Sequence, residues 1–428
     1  MMRIAMLSVH SSPLARLGSK EAGGMNVYVR ELARELGQRG VPVDIFTRSQ
    51  ERFTPTIVPL GCGVRVINLH TGPAVPYDKN WVLTYLPEFV SRVRCFADGQ
   101  DLIYDVIHSH YWLSGEAGVW LRRSWGIPLV HMFHTLGVMK NSVARSVEEA
   151  ETSRRVAIER RLLRAADTIV AATPLDRAQM VWHYGADLDR IRVVPCGVDL
   201  DLFQPQPQID ARVQLGLSLQ EQLLLCVGRM EPLKGMDCLI RALALLYARQ
   251  PGWRDTLRVI LVGGGSETQP DQWNTEQQRL ASLRAESGVA DRVTFLGAQP
   301  QQRLPDYYAA ADVVVVPSHY ESFGMVALEA LACGVPVVAS NVGGLSYTIE
   351  DGQNGLLVTP DSPEALADQL ERLLTDADLA LTLRNAARQR AQSYAWSSVA
   401  RRITQIYRDL IAHQRTLRPS AHVLAHVS

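Results

Sequence analysis

Lysine is scarce in this sequence of 428 residues. Only four of its 44 basic residues are lysine (Lys20, Lys79, Lys140 and Lys234), and the others are arginine. A genomic bias towards arginine codons accounts for the scarcity but not for the positions where lysine is kept. Acidic residues also number 44, so the formal net charge is zero. This balance argues against a generally basic nucleic-acid-binding protein and against an acidic tail, while it allows local charged patches.

The sequence also lacks the marks of membrane insertion and of a cysteine framework. No apolar run approaches the roughly 18 residues of a membrane span. The N-terminal apolar stretch has no small-residue cleavage site, so we interpret it as a first β-strand and not as a signal peptide. None of the six cysteines forms a C-x-x-C pair. We therefore expect reduced thiols in a cytoplasmic protein, without disulfides or zinc.

The order of the apolar runs predicts an α/β fold with two doubly wound, Rossmann-like domains facing each other across a cleft. The chain is long for one core, and short apolar strands without alternation are separated by helical patterns, which is typical of parallel sheets covered on both faces. Predicted first-half strands are Arg3–Val9, Val43–Thr47, Val64–Asn68, Val106–Ser109, Leu129–Met132, Thr168–Ala171 and Ile191–Val194. Predicted second-half strands are Leu223–Val227, Leu257–Val262, Val293–Leu296, Val313–Val316 and Val337–Ala339.

The expected division of the chain is 1–200 for a first domain, 201–395 for a second and 396–428 for a C-terminal helix and tail. The helix, Trp396–His413, is expected to pack back on the first domain. Helices are predicted over Val147–Arg164 and elsewhere, and Val198–Gln222 is interpreted as the linker. Ligands of such sheets bind at the carboxyl ends of the strands, so the cleft is the expected site.

Three loops carry residues suited to a diphosphate. The loop His10–Met25 ends in Gly23-Gly24, where a phosphate could approach bare amides at a helix start. Arg229 and Lys234 follow the first strand of the second half, and two cations beside a helix start suit a diphosphate. There is no G-x-G-x-x-G and no Walker sequence, which disfavours dinucleotide oxidoreductases and P-loop NTPases.

The third loop, Glu321-Ser322-Phe323-Gly324-Met325, comes directly after a buried strand and leads into a helix that carries Glu329. Free amides at a helix start bind phosphate, and carboxylates accept hydrogen bonds from sugar hydroxyls. The alternative, an exposed helix glutamate, fits Glu329 poorly because its neighbours are apolar. The histidines of His108-Ser109-His110 and His131-Met132-Phe133-His134 could suggest zinc, but no acidic or cysteine ligands accompany them. We therefore expect no metal.

With these motifs the sequence resembles family-4 retaining glycosyltransferases of the two-Rossmann-domain (GT-B) type. The resemblance lies in Glu321 and Glu329 (an E-x7-E element), Gly228-Arg229 with Lys234-Gly235, the His-Ser-His stretch and Gly343-Gly344. It implies transfer of a sugar from a nucleoside-diphosphate donor with retention of configuration. No cofactor or metal is implied beyond the nucleotide sugar, a UDP-sugar by subfamily.

The resemblance also implies roles for individual residues. Catalytic roles fall to His134, Arg229, Lys234 and Glu321. Donor binding falls to Gly24, Arg229, Lys234, Ser322, Phe323, Gly324, Met325 and Glu329. Within these sets Glu329 would hold the ribose, Glu321 would face the sugar hydroxyls, and Arg229 and Lys234 would neutralise the leaving diphosphate in place of a metal.

A closer resemblance concerns the acceptor. Gly23–Tyr28, His108–Gly115 and the His134-Thr135 motif are similar to the inositol-phosphate N-acetylglucosaminyltransferases and to the sucrose-phosphate synthases. Both add a sugar to a phosphorylated polyol or sugar. Acceptor residues carried over from this resemblance are Asn26, Lys79, Tyr111, Thr135 and Arg155, with Arg154 as the rival of Arg155. The stretch Ser142–Glu151 matches neither subfamily, so the choice between the two acceptors stays open.

Other functions also stay open at this point. A lipid or polysaccharide acceptor at a membrane surface is suggested by the arginine-rich C-terminal helix, although such a helix is more often a solvated face. The remaining alternatives are a phosphorylase-like enzyme and a non-catalytic nucleotide-sugar clamp. We expect small-molecule partners, no nucleic acid, and a monomer or homodimer.

Overall fold

The computed structural model describes residues 2–15, 23–75 and 78–417. Its strands are β1 Ile4–Leu7, β2 Val43–Arg48, β3 Ile57–Gly61, β4 Val64–Leu69, β5 Val106–His110, β6 Leu129–Met132, β7 Thr168–Ala171, β8 Ile191–Val193, β9 Gln222–Val227, β10 Leu257–Val262, β11 Val293–Gly297, β12 Val313–Val316, β13 Val337–Ser340 and β14 Leu356–Val358. Its α-helices are α1 Gly24–Gln38, α2 Lys79–Val82, α3 Leu86–Gly99, α4 Tyr111–Trp125, α5 Gly137–Asn141, α6 Ser153–Ala165, α7 Pro174–Tyr184, α8 Gln208–Leu215, α9 Met236–Arg249, α10 Trp253–Thr256, α11 Thr275–Glu286, α12 Leu304–Ala310, α13 Met325–Ala332, α14 Leu345–Thr348, α15 Pro363–Thr375, α16 Ala377–Gln392 and α17 Trp396–Leu417.

The strands form two sheets, as predicted. The first has the order β3-β4-β2-β1-β5-β6-β7-β8 and the second β11-β10-β9-β12-β13-β14. All neighbouring pairs are parallel except β3 with β4. The inner strands β1, β5, β6, β12 and β13 are buried along their whole length. Continuous burial explains the unbroken apolar sequences of β1 and β12, while β5 also buries His108, Ser109 and His110.

The strand order reverses once in each sheet, and these points position the site. In the first sheet β1 lies between β2 and β5, and in the second β9 lies between β10 and β12. The carboxyl ends of the strands beside such a reversal leave a crevice because the following helices go to opposite faces. Most of the residues that the sequence analysis assigns to the donor follow β1, β9 and β12, whereas the acceptor candidates Lys79, Thr135 and Arg155 follow β4 and β6.

The structure corrects two sequence interpretations of local structure. The helix predicted over Val147–Arg164 begins only at Ser153, because Thr152 caps it: its hydroxyl accepts from the backbone N–H of Arg155 at 3.2 Å. The linker Val198–Gln222 contains a helix, α8, which ends where Gly216 adopts a left-handed conformation. Strands β3 and β14 were not predicted. They lie at the sheet edges, where patterning is weaker.

The last helix packs back on the first domain, as predicted. The rings of Trp396 and Tyr28 meet edge to face with centroids 5.4 Å apart. The Tyr407 hydroxyl, on α17, lies 2.7 Å from Nδ1 of His108, on β5. Tyr407 and His108 are both fully buried. The helix is therefore part of the first domain's core, although it follows the second domain in the chain.

The structure bears on two expectations, that the chain has no membrane-spanning helix and that its cysteines are reduced. Within residues 2–15, 23–75 and 78–417, no helix is long and apolar enough to cross a membrane. The six cysteines are free thiols, of which Cys196, Cys226, Cys238 and Cys333 are buried.

Candidate functional site

The first glycine loop meets the loops of the second sheet across the cleft. A Cβ atom added to Gly24 would lie 3.1 Å from Sδ of Met325, and one added to Gly23 would lie 3.6 Å from Nε of Arg229. Gly24 is also the first residue of α1. The contact brings three predicted donor residues together from both sheets. Residues 16–22, and with them Lys20, lie outside the described residues.

Lys234 and Glu321 form an ion pair in the second sheet's half of the cleft. Nζ of Lys234 lies 2.6 Å from Oε2 of Glu321, and each side chain is about one-fifth exposed. Gly235 places the lysine: its φ is +62°, and a Cβ there would fall 2.0 Å from the carbonyl oxygen of Pro317. Only glycine fits this close approach of the β9 and β12 loops. Arg229, on the same loop, contacts Glu231 at 2.7 Å.

The start of α13 is held open by glycine. Gly324 precedes the helix with a φ of +92° and makes no side-chain cap. The backbone N–H of Gly344 donates to the carbonyl of Glu321 at 2.7 Å, and a Cβ on Gly344 would lie 2.3 Å from Cα of Phe323. These close contacts fix the loop 321–324. The first amides of α13 can therefore point at an anion, which the helix dipole favours.

Glu329 is a buried carboxylic acid on α13. It is 7% exposed, and the Tyr308 hydroxyl donates to its Oε2 at 2.8 Å. Burial raises the pKa of Glu329 to about 7, against the opposing effects of the Tyr308 hydrogen bond and the Arg30 charge. A carboxyl group with this pKa changes its charge near neutral pH, and its burial agrees with the sequence analysis, in which an exposed helix glutamate fitted Glu329 poorly.

The four residues Lys79, Tyr111, Thr135 and Arg155 converge on one place in the first domain. Arg155 is fully buried. Its NH1 donates to the Tyr111 hydroxyl at 2.9 Å, and its NH2 donates to the Thr135 carbonyl at 2.8 Å and hydroxyl at 3.1 Å. Arg154 is exposed. The structure therefore places Arg155, and not its rival, in this group.

Glu151 occupies the centre of this group, and sequence reasoning assigned it no role. Its Oε1 lies 2.8 Å from Nζ of Lys79, 2.6 Å from Nζ of Lys140 and 2.8 Å from NH1 of Arg155. Burial would raise the pKa of Glu151, but the charges of Arg155, Lys79 and Lys140 lower it to about 2. Because the sequence analysis expects Lys79 and Arg155 to bind the acceptor, we call these two residues and Lys140 the acceptor cations.

Glu159 is the second carboxylate that the sequence analysis missed. It is fully buried and receives Nε of Arg155 at 2.7 Å. It also accepts from the backbone N–H of Gly137 and from the Tyr184 hydroxyl. Arg155 and Glu159 are four residues apart on α6, the spacing of neighbours on one helix face. This was the signal that could have identified Glu159, whereas Glu151 lies in the loop before the helix.

Asn26 plays a part inside its own loop. Its Oδ1 accepts from the backbone N–H of Gly23 at 2.9 Å, and its Nδ2 donates to the Ser11 hydroxyl at 2.6 Å and the Ser12 carbonyl at 2.7 Å. The side chain is buried. These bonds fix the path of the first glycine loop, and they occupy the amide that the sequence analysis assigned to the acceptor.

His134 and Tyr111 both adopt left-handed backbone conformations. Their φ values are +62° and +74°, in a region that bulky residues rarely enter. Such strained conformations persist only where the surrounding structure holds them, and they are found most often at functional sites. Nε2 of His134 lies 3.0 Å from Nδ1 of His110, and burial lowers the pKa of His134 to about 3. This histidine is therefore neutral at physiological pH.

One loop of the first domain reaches across to the second. Arg145 lies between α5 and α6, and its NH1 is 3.3 Å from Oδ2 of Asp237 at the start of α9. Its NH2 contacts Nε2 of His319, after β12. The segment 142–152 thus contacts α9 and the loop after β12 through Arg145, and it contacts the acceptor cations through Glu151. In the part of the chain that the structure describes, no group of three or more His, Cys, Asp or Glu residues could hold a metal ion.

Comparison with known proteins gives the family. Residues 23–197 match the model described as "Glycosyl transferase 4-like domain", and residues 207–390 match "Glycosyl transferases group 1". The chain is 45% identical over 415 residues to the D-inositol 3-phosphate glycosyltransferase of Acidothermus cellulolyticus, covering 97% of this chain and 92% of the relative. It is 43% identical to the protein of that name from Saccharomonospora viridis, covering 96% of this chain and 94% of the relative.

Comparison with solved structures gives the same family. The sucrose-phosphate synthase of Thermosynechococcus elongatus superposes with a TM-score of 0.87 at 38% identity, covering 96% of this chain and all of that one. HepE from Anabaena, in complex with UDP-glucose, shares the fold with a TM-score of 0.72 at 22% identity, covering 96% of this chain and all of that one. Both subfamilies named from the sequence motifs are thus found among the chain's relatives. The chain belongs to the two-domain GT-B glycosyltransferases, with a glycosyl transferase 4-like domain followed by a group 1 domain.

Proposed function

We propose that this enzyme transfers a hexosyl group, with retention, from a UDP-sugar to a hydroxyl of a phosphorylated polyol or sugar. The observation that carries the proposal is the pairing of two anion sites: Lys234 and the start of α13 on the second sheet, and the acceptor cations on the first. A reaction that transfers a sugar from a nucleoside-diphosphate donor to a phosphorylated acceptor needs two such sites near each other. The inositol 3-phosphate and sucrose-phosphate names of the relatives support the same substrate classes.

The donor is proposed to lie along the β9 and β12 loops. Glu329 accepts the ribose hydroxyls, and the amides from Ser322 to Met325 hold the distal phosphate and sugar. Arg229 and Lys234 neutralise the leaving diphosphate, so that no metal is required. Glu321, which contacts Lys234 at 2.6 Å, orients that lysine and faces the sugar hydroxyls. Gly24 leaves room for the phosphates on the first-domain side.

The acceptor is proposed to bind the first domain with its phosphate at the acceptor cations. The Tyr111 hydroxyl accepts from Arg155 and so keeps its own proton to donate to a phosphate oxygen. Thr135 offers its hydroxyl beside the same guanidinium. His134, the residue directly before Thr135, is neutral and is suited to form a hydrogen bond with the transferred sugar.

The transfer is proposed to proceed on one face of the sugar. The bond from the anomeric carbon to the diphosphate oxygen breaks while the acceptor oxygen approaches the same face, and the leaving oxygen takes the acceptor proton. The chain supplies positive charge for the leaving group and excludes water when the domains close. The carboxylates Glu321 and Glu329 both lie on the donor side, so a pair of acids that straddles the bond, as in hydrolases, is not part of the proposal.

Further proposals follow from the same assignment. Residues 1–200 form the acceptor domain, 201–395 the donor domain, and 396–428 the returning helix and tail. We also propose a cytoplasmic location, which the buried free thiols favour. The oligomeric state is proposed to be monomer or homodimer.

Replacing Lys234 by alanine tests the donor assignment. The Lys234→Ala variant loses the charge next to the leaving diphosphate, and we expect kcat to fall by about a hundredfold to a thousandfold. The measurement is UDP release in the presence of donor and acceptor. Arg241→Ala, which removes an exposed cation from α9, is the matched control and keeps normal rates. Near-normal turnover of Lys234→Ala would contradict the assignment.

The pKa of Glu329, raised to about 7, predicts a pH dependence of donor binding. The carboxyl group is protonated below this pH and ionised above it, and only the ionised form accepts from both ribose hydroxyls. We therefore expect the Kd for a UDP-sugar to fall by about tenfold between pH 6 and pH 8. Calorimetry measures it, with a UDP-sugar and not UDP, because the terminal phosphate of UDP itself titrates.

The Glu329→Gln variant is the control for this prediction. Glutamine keeps the shape but cannot ionise, so its weaker donor binding should not change between pH 6 and pH 8. A pH dependence that survives in Glu329→Gln would show that another group causes it.

The proposed function itself is tested with one substrate panel. Each donor (UDP-glucose, UDP-N-acetylglucosamine or GDP-mannose) is incubated with each acceptor (fructose 6-phosphate, inositol phosphate or a glycerate-type compound) in the presence of a chelator. The release of nucleotide is then measured. We expect acceptor-dependent UDP release with one phosphorylated acceptor. Tight UDP-sugar binding without turnover would instead support a non-catalytic clamp.

A further inference from the structure

The acceptor cations are not free to receive an anion as they stand in this structure. All three contact one oxygen, Oε1 of Glu151, at 2.6–2.8 Å. The carboxylate is itself buried, with 5% of its side chain exposed. Three cationic contacts to one oxygen are the arrangement expected around a phosphate oxygen.

We infer that Glu151 is an internal anion that the acceptor phosphate displaces, and that it thereby determines which acceptors the enzyme takes. The inference rests on the proposed function, because it assumes an acceptor that carries a phosphate. It goes beyond that function by giving Glu151 a role in specificity. It also adds Lys140 to the acceptor residues carried over by resemblance.

The charges at the site favour replacement of Glu151 by the phosphate over binding of the phosphate beside Glu151. The three acceptor cations face two carboxylates, Glu151 and Glu159, of which Glu159 is fully buried and bound to Arg155 at 2.7 Å. A phosphate dianion added to this set would give four negative charges against three positive ones. If Glu151 leaves, the dianion and Glu159 together balance the three cations. A buried site with unbalanced charge is costly, so the balanced arrangement is favoured.

The geometry around Glu151 allows its side chain to move alone. Asn141 holds the main chain from both sides: its Oδ1 accepts from the backbone N–H of Glu151 at 2.6 Å, and its Nδ2 donates to the Glu151 carbonyl at 3.1 Å. The exchange therefore requires a rotation of one side chain and no rearrangement of the loop. Arg155 keeps Glu159 as its partner throughout.

An internal anion of this kind discriminates between acceptors. An acceptor with a dianionic phosphate can compete with Glu151 for the three cations, whereas a neutral polyol gains nothing there. Glu151 weakens binding of all anions, so that only a ligand with both a phosphate and a fitting polyol binds well. Specificity then arises from a built-in competitor as well as from direct contacts.

The test measures anion binding in the Glu151→Gln variant. Glutamine has nearly the same size but no charge, so inorganic phosphate should bind about tenfold more tightly than to the natural protein, as judged by calorimetry. The KM for the phosphorylated acceptor should fall by a similar factor, while the KM for the same acceptor without its phosphate should not change. Glu148→Gln removes an exposed carboxylate from the same loop and should leave phosphate binding unchanged.

Equal or weaker phosphate binding by a folded Glu151→Gln variant would overturn the inference. If that variant does not fold, Glu151→Asp replaces it: the shorter carboxylate cannot reach all three cations, so phosphate binding should still be tighter than in the natural protein, and no change would overturn the inference. Phosphate binding requires no turnover. A failed substrate panel with tighter phosphate binding would therefore contradict the proposed function alone, and the opposite result would contradict only the role of Glu151.

Discussion

The site depends on one electrostatic constraint: a cation in a water-poor cleft needs an anion beside it. Lys234 meets Glu321 at 2.6 Å, and the acceptor cations meet Glu151 at 2.6–2.8 Å. Lys234 and Glu321 follow β9 and β12, where the strand order of the second sheet reverses, whereas Lys79, Lys140 and Arg155 lie on α2, α5 and α6 of the first domain. The cations that are suited to substrate phosphates are thus held in place by the protein's own carboxylates.

The surrounding fold makes this arrangement rigid. Buried parallel strands fix the starts of the loops, and glycines such as Gly235 and Gly344 allow contacts that any side chain would block. The returning helix α17 closes the first domain by placing Tyr407 on His108, two residues from the end of β5. Arg145, in the segment 142–152 of the first domain, contacts Asp237 at the start of α9 in the second domain. The segment 142–152 therefore contacts both domains, through Arg145 and through Glu151.

Much of this could be predicted from the sequence, for identifiable reasons. Inner strands such as β12 were recognised because burial on both faces makes them continuous apolar runs, whereas the edge strand β3 was missed because it is mostly exposed and contains Pro59. The edge strand β14, also missed, has only three residues. Lysine was informative: Lys79, Lys140 and Lys234 each pair with a carboxylate of the site, and Lys20 lies outside the described residues. The family motifs identified the residues whose spacing is fixed by strand and helix starts.

What the sequence did not reveal is the partner of each charge. Lys79 and Glu151 are 72 positions apart and meet only through the fold. The start of α6 was placed too early, so Glu151 was assigned to a helix and not to the loop that carries it into the site. Similarly, the pKa of Glu329 is raised by its burial in the fold and is opposed by the hydrogen bond from Tyr308, which belongs to another helix. Contacts between distant segments are the part of a site that local patterns cannot supply.

A crystal structure with UDP and a phosphorylated acceptor bound tests the central claim most directly. The account predicts the acceptor phosphate within about 3 Å of Lys79, Lys140 and Arg155, the Glu151 carboxylate turned away, and Lys234 on the diphosphate. An acceptor phosphate bound elsewhere, with Glu151 still on its three cations, would contradict it.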